Sequence, residues 1–201
     1  MIKELNILIT GVGGQGVILM SELLGNSAIK DGLRVRGSEV LGMAVRGGSV
    51  TSVIRIGDEV YGPLIPAGKC DILIGMEPSE ALRNIAYLSK SSLVILNTAI
   101  IFPFTVSLGQ SQYPSLEVII DKLNRASNQI TKLDANHLAR EAGNLLATNI
   151  VMLGALFGTE QLPIKIATLK ETIQAHFPAK VAQVNIKAFD LGYQACRQVV
   201  K

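Results

Sequence analysis

Charge is scarce in this chain. Of 201 residues only 17% are Asp, Glu, Lys or Arg, against roughly 25% in ordinary soluble domains. Cysteine is nearly absent, with Cys70 and Cys196 the only two. Two thiolates cannot make an all-cysteine iron–sulfur or zinc site. One disulfide is arithmetically open, but a reduced, cytoplasmic chain is the simpler reading. There is no tryptophan, and aromatics total 4%. The net charge of +3 comes without a dense Lys/Arg stripe, which gives no basis for nucleic-acid binding. Long hydrophobic runs are missing too. Ile72–Met76 and Leu93–Leu96 have strand length, well short of the roughly 20 apolar residues of a membrane span. The opening Met1–Asn6 runs directly into a strand pattern and does not read as a signal peptide.

What is abundant is apolar material: 48% hydrophobic residues and a mean hydropathy of +0.37. That excludes disorder and supports one domain over residues 1–201. Leu5–Thr10 reads as a strand covered on both faces, followed by a glycine loop and a helix from Val17 to about Lys30. Leu33–Arg36 reads as a second strand. Ser49–Ile56 alternates, with Val50, Ser52, Ile54 and Ile56 on one face. Gly57–Glu59 is a turn after which Val60-Tyr61 can pair back as a hairpin. Asp71–Met76, Ser92–Asn97 and Ile130–Leu133 are further strands. Helices are expected from Glu77 to about Leu88 and from Leu116 to about Asn124. A broken helical stretch covers Asn136–Gly158, and two more helices occupy Ile164–Ala175 and Ala179–Val199. This order predicts a three-layer α/β/α sandwich, Rossmann-like, with a mixed sheet that includes an inserted hairpin.

Gly11, Gly13 and Gly16 satisfy GxGxxG between a strand and a helix. Such a loop lets an anion approach bare backbone N–H groups at a helix N-terminus; it also serves as a plain strand–helix turn. Gly14 adds another bare position, and Gln15 is the one large polar side chain, able to point an amide at a ligand or a neighbouring subunit. A dinucleotide site needs a carboxylate at the end of the second strand. Glu39 is the nearest, beyond Gly37-Ser38 and outside the clean strand. No Lys-Ser/Thr comes after the glycines, so the loop is not a P-loop. Arg46-Gly47-Gly48-Ser49 reads either as an anion clamp or as a bend before a strand. Arg55 reads as solvated or paired with Asp58 or Glu59.

Ligands in such sheets sit beyond the carboxyl ends of strands. Glu77, Asn97 and Thr98 are placed to line that crevice or to cap the next segment of chain. Capping is the favoured reading for Asp134 and Asn136. Asn144 and Asn149 flank an apolar helical segment and suggest hydrogen bonding to the glycine loop or across an interface. His137 and His176 have no ligand spacing with the cysteines, no nucleophile–His–Asp arrangement is evident, and no thiamine diphosphate motif occurs.

Taken together, Gly11–Gly16, Glu39–Gly48, Val53–Arg55, Gly143–Asn149 and Gly154–Leu156 resemble the gamma subunits and domains of 2-oxoacid:ferredoxin oxidoreductases, the pyruvate/ketoisovalerate family. Among these the chain looks most like the small subunits of the indolepyruvate-type enzymes. The resemblance covers essentially residues 3–200. In relatives a tyrosine more often precedes the Arg-Gly-Gly segment; Leu41–Val45 has none.

The resemblance implies a heteromeric, cytoplasmic oxidoreductase of amino-acid catabolism. Its large alpha subunit would carry thiamine diphosphate and iron–sulfur clusters and pass electrons to ferredoxin. It would convert indolepyruvate and other aryl pyruvates to aryl-acetyl-CoA. This chain, inactive alone and binding no metal, would assist coenzyme A or anion binding and active-site assembly. By the same analogy Gly11, Gly13, Gly14, Gln15, Gly16, Arg46, Gly47, Gly48 and Ser49 would face the shared crevice, without any of them being catalytic. The alternatives are the corresponding subunit of a pyruvate, 2-oxoglutarate or branched-chain enzyme, a free-standing dinucleotide-binding oxidoreductase, and a non-catalytic assembly module.

Overall fold

The computed structural model describes residues 3–42, 44 and 46–199. Met43 and Val45, within the Leu41–Val45 stretch, lie outside the described residues, as do Met1 and Ile2. Six strands form one sheet: β1 (Leu5–Val12), β2 (Val35–Leu41), β3 (Ser49–Ile56), β4 (Ile72–Gly75), β5 (Leu93–Asn97) and β6 (Gln129–Leu133), in the order β2-β3-β1-β4-β5-β6. β1, β4, β5 and β6 run parallel. β4 and β5 are buried at every position, as strands covered by helices on both faces must be.

The helices are α1 (Val17–Lys30), α2 (Pro78–Arg83), α3 (Phe104–Ser107), α4 (Leu116–Ala126), α5 (Ala135–Ala142), α6 (Thr148–Gly158), α7 (Ile166–His176) and α8 (Ala179–Val199). Two apolar clusters separate the layers. Ile7, Ile9, Ile72 and Ile74 point to α1 and α5–α8. Leu8, Leu73, Val94 and Leu96 point to α2 and α4. The alternation of one strand therefore feeds two cores, and the α/β/α sandwich is as expected. α6 and α8 cross with their backbones nearly touching. A Cβ at Gly154 would run into the Phe189 carbonyl, and one at Gly192 into that of Val151.

Three local expectations change. The hairpin is formed by β2 and β3, from Val35↔Ile56 to Leu41↔Val50, and not by Val60-Tyr61. The second strand therefore runs past Gly37-Ser38 through Glu39, because β3 supplies it with a full antiparallel ladder. α2 stops at Arg83, and a 3₁₀ turn occupies Ile85–Tyr87. Asn84 turns its amide back to the Thr10 hydroxyl (3.0 Å) and the Glu80 carbonyl (2.9 Å). The break in the 136–158 stretch is as expected: Gly143 adopts a φ of 115° and a 3₁₀ turn, Leu145–Ala147, precedes α6.

Candidate functional site: two clefts around the glycine loop

β1 ends at Val12, and the chain reaches α1 through two left-handed glycines, Gly14 (φ 100°) and Gly16 (φ 76°). Gly16 is the N-cap of α1. No side chain caps this helix, and its first turn holds no acid, so its leading N–H groups lack internal partners. A side chain at position 16 would also collide with the Asn149 amide.

The Arg46–Ser49 segment folds against this loop. The Gly13 N–H donates to the Gly48 carbonyl (2.8 Å), and the Gly47 N–H donates to the Gly13 carbonyl (3.2 Å). Two motifs more than thirty residues apart thus become one paired structure. Its geometry comes from the sheet, because β1 and β3 are adjacent and Val12 lies opposite Ser49. Arg46 is exposed and makes no ion pair with any described residue. Beside this pairing lies a cleft of about 620 Å³, lined by Gly13, Gly14 and Gly16, by Val17, Ile18, Leu41, Ala44 and Val50, and by Glu22. Bare backbone and an uncapped helix suit an anionic group, with the exposed Arg46 on the adjoining turn; the apolar walls suit a molecule with an apolar body.

Other candidates are spent inside the protein. Gln15 borders the second cleft, but both amide atoms are turned inward: its Oε1 accepts from the Val12 N–H (2.8 Å) and its Nε2 donates to the Met76 carbonyl (3.0 Å), which ties the loop to the end of β4. Ser49 donates to Glu80 (2.5 Å), whose other oxygen accepts from Arg83. Glu77 is fully buried and caps α2, accepting from the Ser79 and Glu80 N–H groups (2.7 and 3.1 Å) and from the Tyr113 hydroxyl. Burial, and then the Glu77 carboxylate, push the Tyr113 phenol above its usual range. Asn97 is also fully buried, donating to the Met76 carbonyl and accepting from the Ala135 N–H (both 3.1 Å). Thr98 leans on the Leu133 carbonyl (3.4 Å). Asp134 caps α5 at His137 (2.8 Å). Arg55 is buried and bonds Glu4, Asn6 and the Gly62 and Leu64 carbonyls, so its partner is neither Asp58 nor Glu59.

Asn144 and Asn149 line a smaller cleft on the opposite side of the loop, together with Asn185. Asn185 was not legible as a site residue, being one polar residue on a long amphipathic helix.

Glu39 lies exposed on β2, the edge strand, opposite Ser52. The place beside β1 that a parallel second strand holds in a dinucleotide fold belongs here to antiparallel β3. No ribose-binding carboxylate is formed there. Among the described residues no group of three or more His, Cys, Asp or Glu could hold a metal ion. Both cysteines are free and buried, and burial pushes the Cys70 thiol up to about 12. No described helix is long and apolar enough to cross a membrane.

The family of pyruvate ferredoxin/flavodoxin oxidoreductases matches residues 6–195. The chain belongs to this family. It is 47% identical over 199 residues to indolepyruvate oxidoreductase subunit IorB of Pyrococcus horikoshii, covering 98% of each chain. It is 43% identical over 199 residues to the subunit of the same name from Thermococcus kodakarensis, again covering 98% of each. In fold it is similar to the gamma subunit of a keto/oxoacid ferredoxin oxidoreductase from Geobacter sulfurreducens, with a TM-score of 0.69 at 22% identity, over 96% of this chain and 99% of that one.

Proposed function

We propose that this chain is the small subunit of an indolepyruvate-type 2-oxoacid:ferredoxin oxidoreductase. In this reading a large alpha subunit carries the thiamine diphosphate and iron–sulfur clusters, and ferredoxin receives the electrons. The chain has no donor set for a cluster among its described residues, and nothing in it is routed through one. Its own contribution is the paired loop. The observation that carries this reading is the double hydrogen bond between Gly13 and the Gly47-Gly48 turn, which sets the exposed Arg46 turn against the loop that borders the cleft and leads into α1.

That cleft fits coenzyme A, whose thiol accepts the acyl group in this chemistry. Phosphate oxygens would meet Arg46 and the bare backbone of Gly14 and Gly16, and the less polar arm would lie along Leu41 and Val50. These groups bind and position; none moves a proton. Indolepyruvate and other aryl pyruvates are the proposed substrates, supported by the two relatives at 43% and 47% identity.

The test uses the complex assembled from both subunits. Arg46→Ala should raise the KM for coenzyme A about tenfold, the cost of one charge-assisted contact, with kcat retained. An unchanged KM in an intact complex would reduce the chain to an assembly module. Full activity of the large subunit alone would remove its role altogether, and turnover restricted to pyruvate or 2-oxoglutarate would overturn the substrate class.

A further inference from the structure

The second side of the glycine loop carries an independent signal. Here Gly14 and Gly16 border a cleft of about 390 Å³, closed by the turn before α6 and by α8. Leu19, Leu146, Phe177 and Val181 wall it. Asn149 and Asn185 line it while being only 4% and 5% exposed. The Asn149 Oδ1 accepts from the Ile150 N–H (2.9 Å), which fixes how the amide is turned. Its Nδ2 then stands beside Gly16 with no acceptor among the described residues. Asn185 makes no side-chain hydrogen bond to any described residue. Both residues are nearly buried, yet among the described residues no unbonded side-chain atom is sealed away from solvent, so the unused amide atoms face the cleft that these residues line. No side chain caps α1 at the same place. The N–H groups of its first turn, the Asn149 amine and the Asn185 amide therefore form a set rich in donors and short of acceptors.

The missing partner is an acceptor, and the local field favours a negative one. Among the described residues no Lys, Arg or His lines the cleft, so it can balance about one charge and not the two of a phosphate. The walls are apolar and include an aromatic ring. We infer that this cleft binds a small monocarboxylate with an apolar or aryl body, its carboxylate held between Gly16, Asn149 and Asn185. This assignment does not depend on coenzyme A binding in the other cleft.

The probe is phenylacetate, titrated into the full chain and observed by NMR at the Leu146 and Val181 methyls and the Asn149 and Asn185 side-chain amides. Saturable shifts at these groups are expected, with a Kd of about 1 mM for a ligand of ten heavy atoms. Benzyl alcohol, which has the ring without the charge, should bind at least about tenfold more weakly. Asn185→Leu should abolish the shifts. If that variant fails to fold, Asn149→Asp, which keeps the shape and adds a repelling charge, reads the same loss. The assignment is overturned if phenylacetate does not saturate these signals, or if benzyl alcohol binds as tightly. It is equally overturned if inorganic phosphate displaces phenylacetate at equal concentration, or if a folded Asn185→Leu protein binds as well as the parent.

Discussion

Glu77 and Asn97 stand at the carboxyl ends of β4 and β5; Arg46, Asn149 and Asn185 flank the glycine loop at the end of β1. All are polar residues in the region where sheets of this kind hold ligands. Glu77 and Asn97 are fully buried, and both carboxylate oxygens of the one and both amide atoms of the other have partners within the chain. Among the described residues Arg46 has no ionic partner, and the two asparagines on the other side keep donors unused. Position at a strand end thus does not separate a ligand-facing residue from a structural one. Whether its hydrogen bonds are already made does.

The sharpest way to break this contrast is at Glu77. Glu77→Ala removes the α2 cap and strands the Tyr113 hydroxyl, at an expected cost of about 3 kcal/mol. In a chain of this size that lowers Tm by about 6–12 °C. The Tyr113 phenol should also titrate at lower pH than in the parent, which an ultraviolet pH titration would show. Gln15→Ala should cost about 1 kcal/mol, because the Val12 N–H loses its partner while the Met76 carbonyl keeps the Asn97 amide; a ligand-facing Gln15 would leave Tm unchanged.

Asp31 tests the closed class by pH. Burial works to raise its pKa, but the Lys165 N–H and Thr168 hydroxyl, with the Lys165 charge, outweigh it and hold the carboxyl below its ordinary 3.8. The stabilisation is therefore complete above the ordinary carboxylate range and is lost as pH falls through the lower native value. Asp31→Asn should be about 1 kcal/mol less stable at neutral pH. Its deficit should shrink in acid, as denaturant melts at several pH values would record.

The smallest effects belong to the open class. Asn185→Leu should be neutral or stabilising by up to about 1 kcal/mol, and Arg46→Ala should stay within about 0.5 kcal/mol. A loss of about 2 kcal/mol at Asn185 would place it with Glu77 and dissolve the contrast.

Much of the architecture was legible in the sequence because period and punctuation agreed. The apolar runs Ile72–Gly75 and Leu93–Leu96 declared β4 and β5 buried, and Gly143 marked the break before α6. The β2–β3 hairpin is not legible in the sequence because β2 is an edge strand. Val35–Leu41 alternates weakly and contains Gly37, so only its ladder with β3 reveals its length. At the site, Gly11–Gly16 and Arg46–Ser49 stood out as motifs, yet their mutual hydrogen bonds depend on β1 and β3 being neighbours, which no local pattern encodes. Gln15, the one large polar side chain in the loop, reads as outward from sequence; its amide instead bonds the Val12 N–H and the Met76 carbonyl where β1 and β4 end. Asn185 could not be found at all, because its meaning comes from Asn149 and Gly16, which are remote in the chain.

Hydrogen–deuterium exchange of the assembled two-subunit complex, with and without coenzyme A, tests the central claim most directly. Segments 13–19 and 46–49 should exchange more slowly with the ligand present, the first because its open N–H groups acquire partners and the second because it is hydrogen-bonded to Gly13, while 97–101 at the end of β5 should not change. Protection at 97–101 with none at the glycine loop and the Arg46 turn would contradict the account.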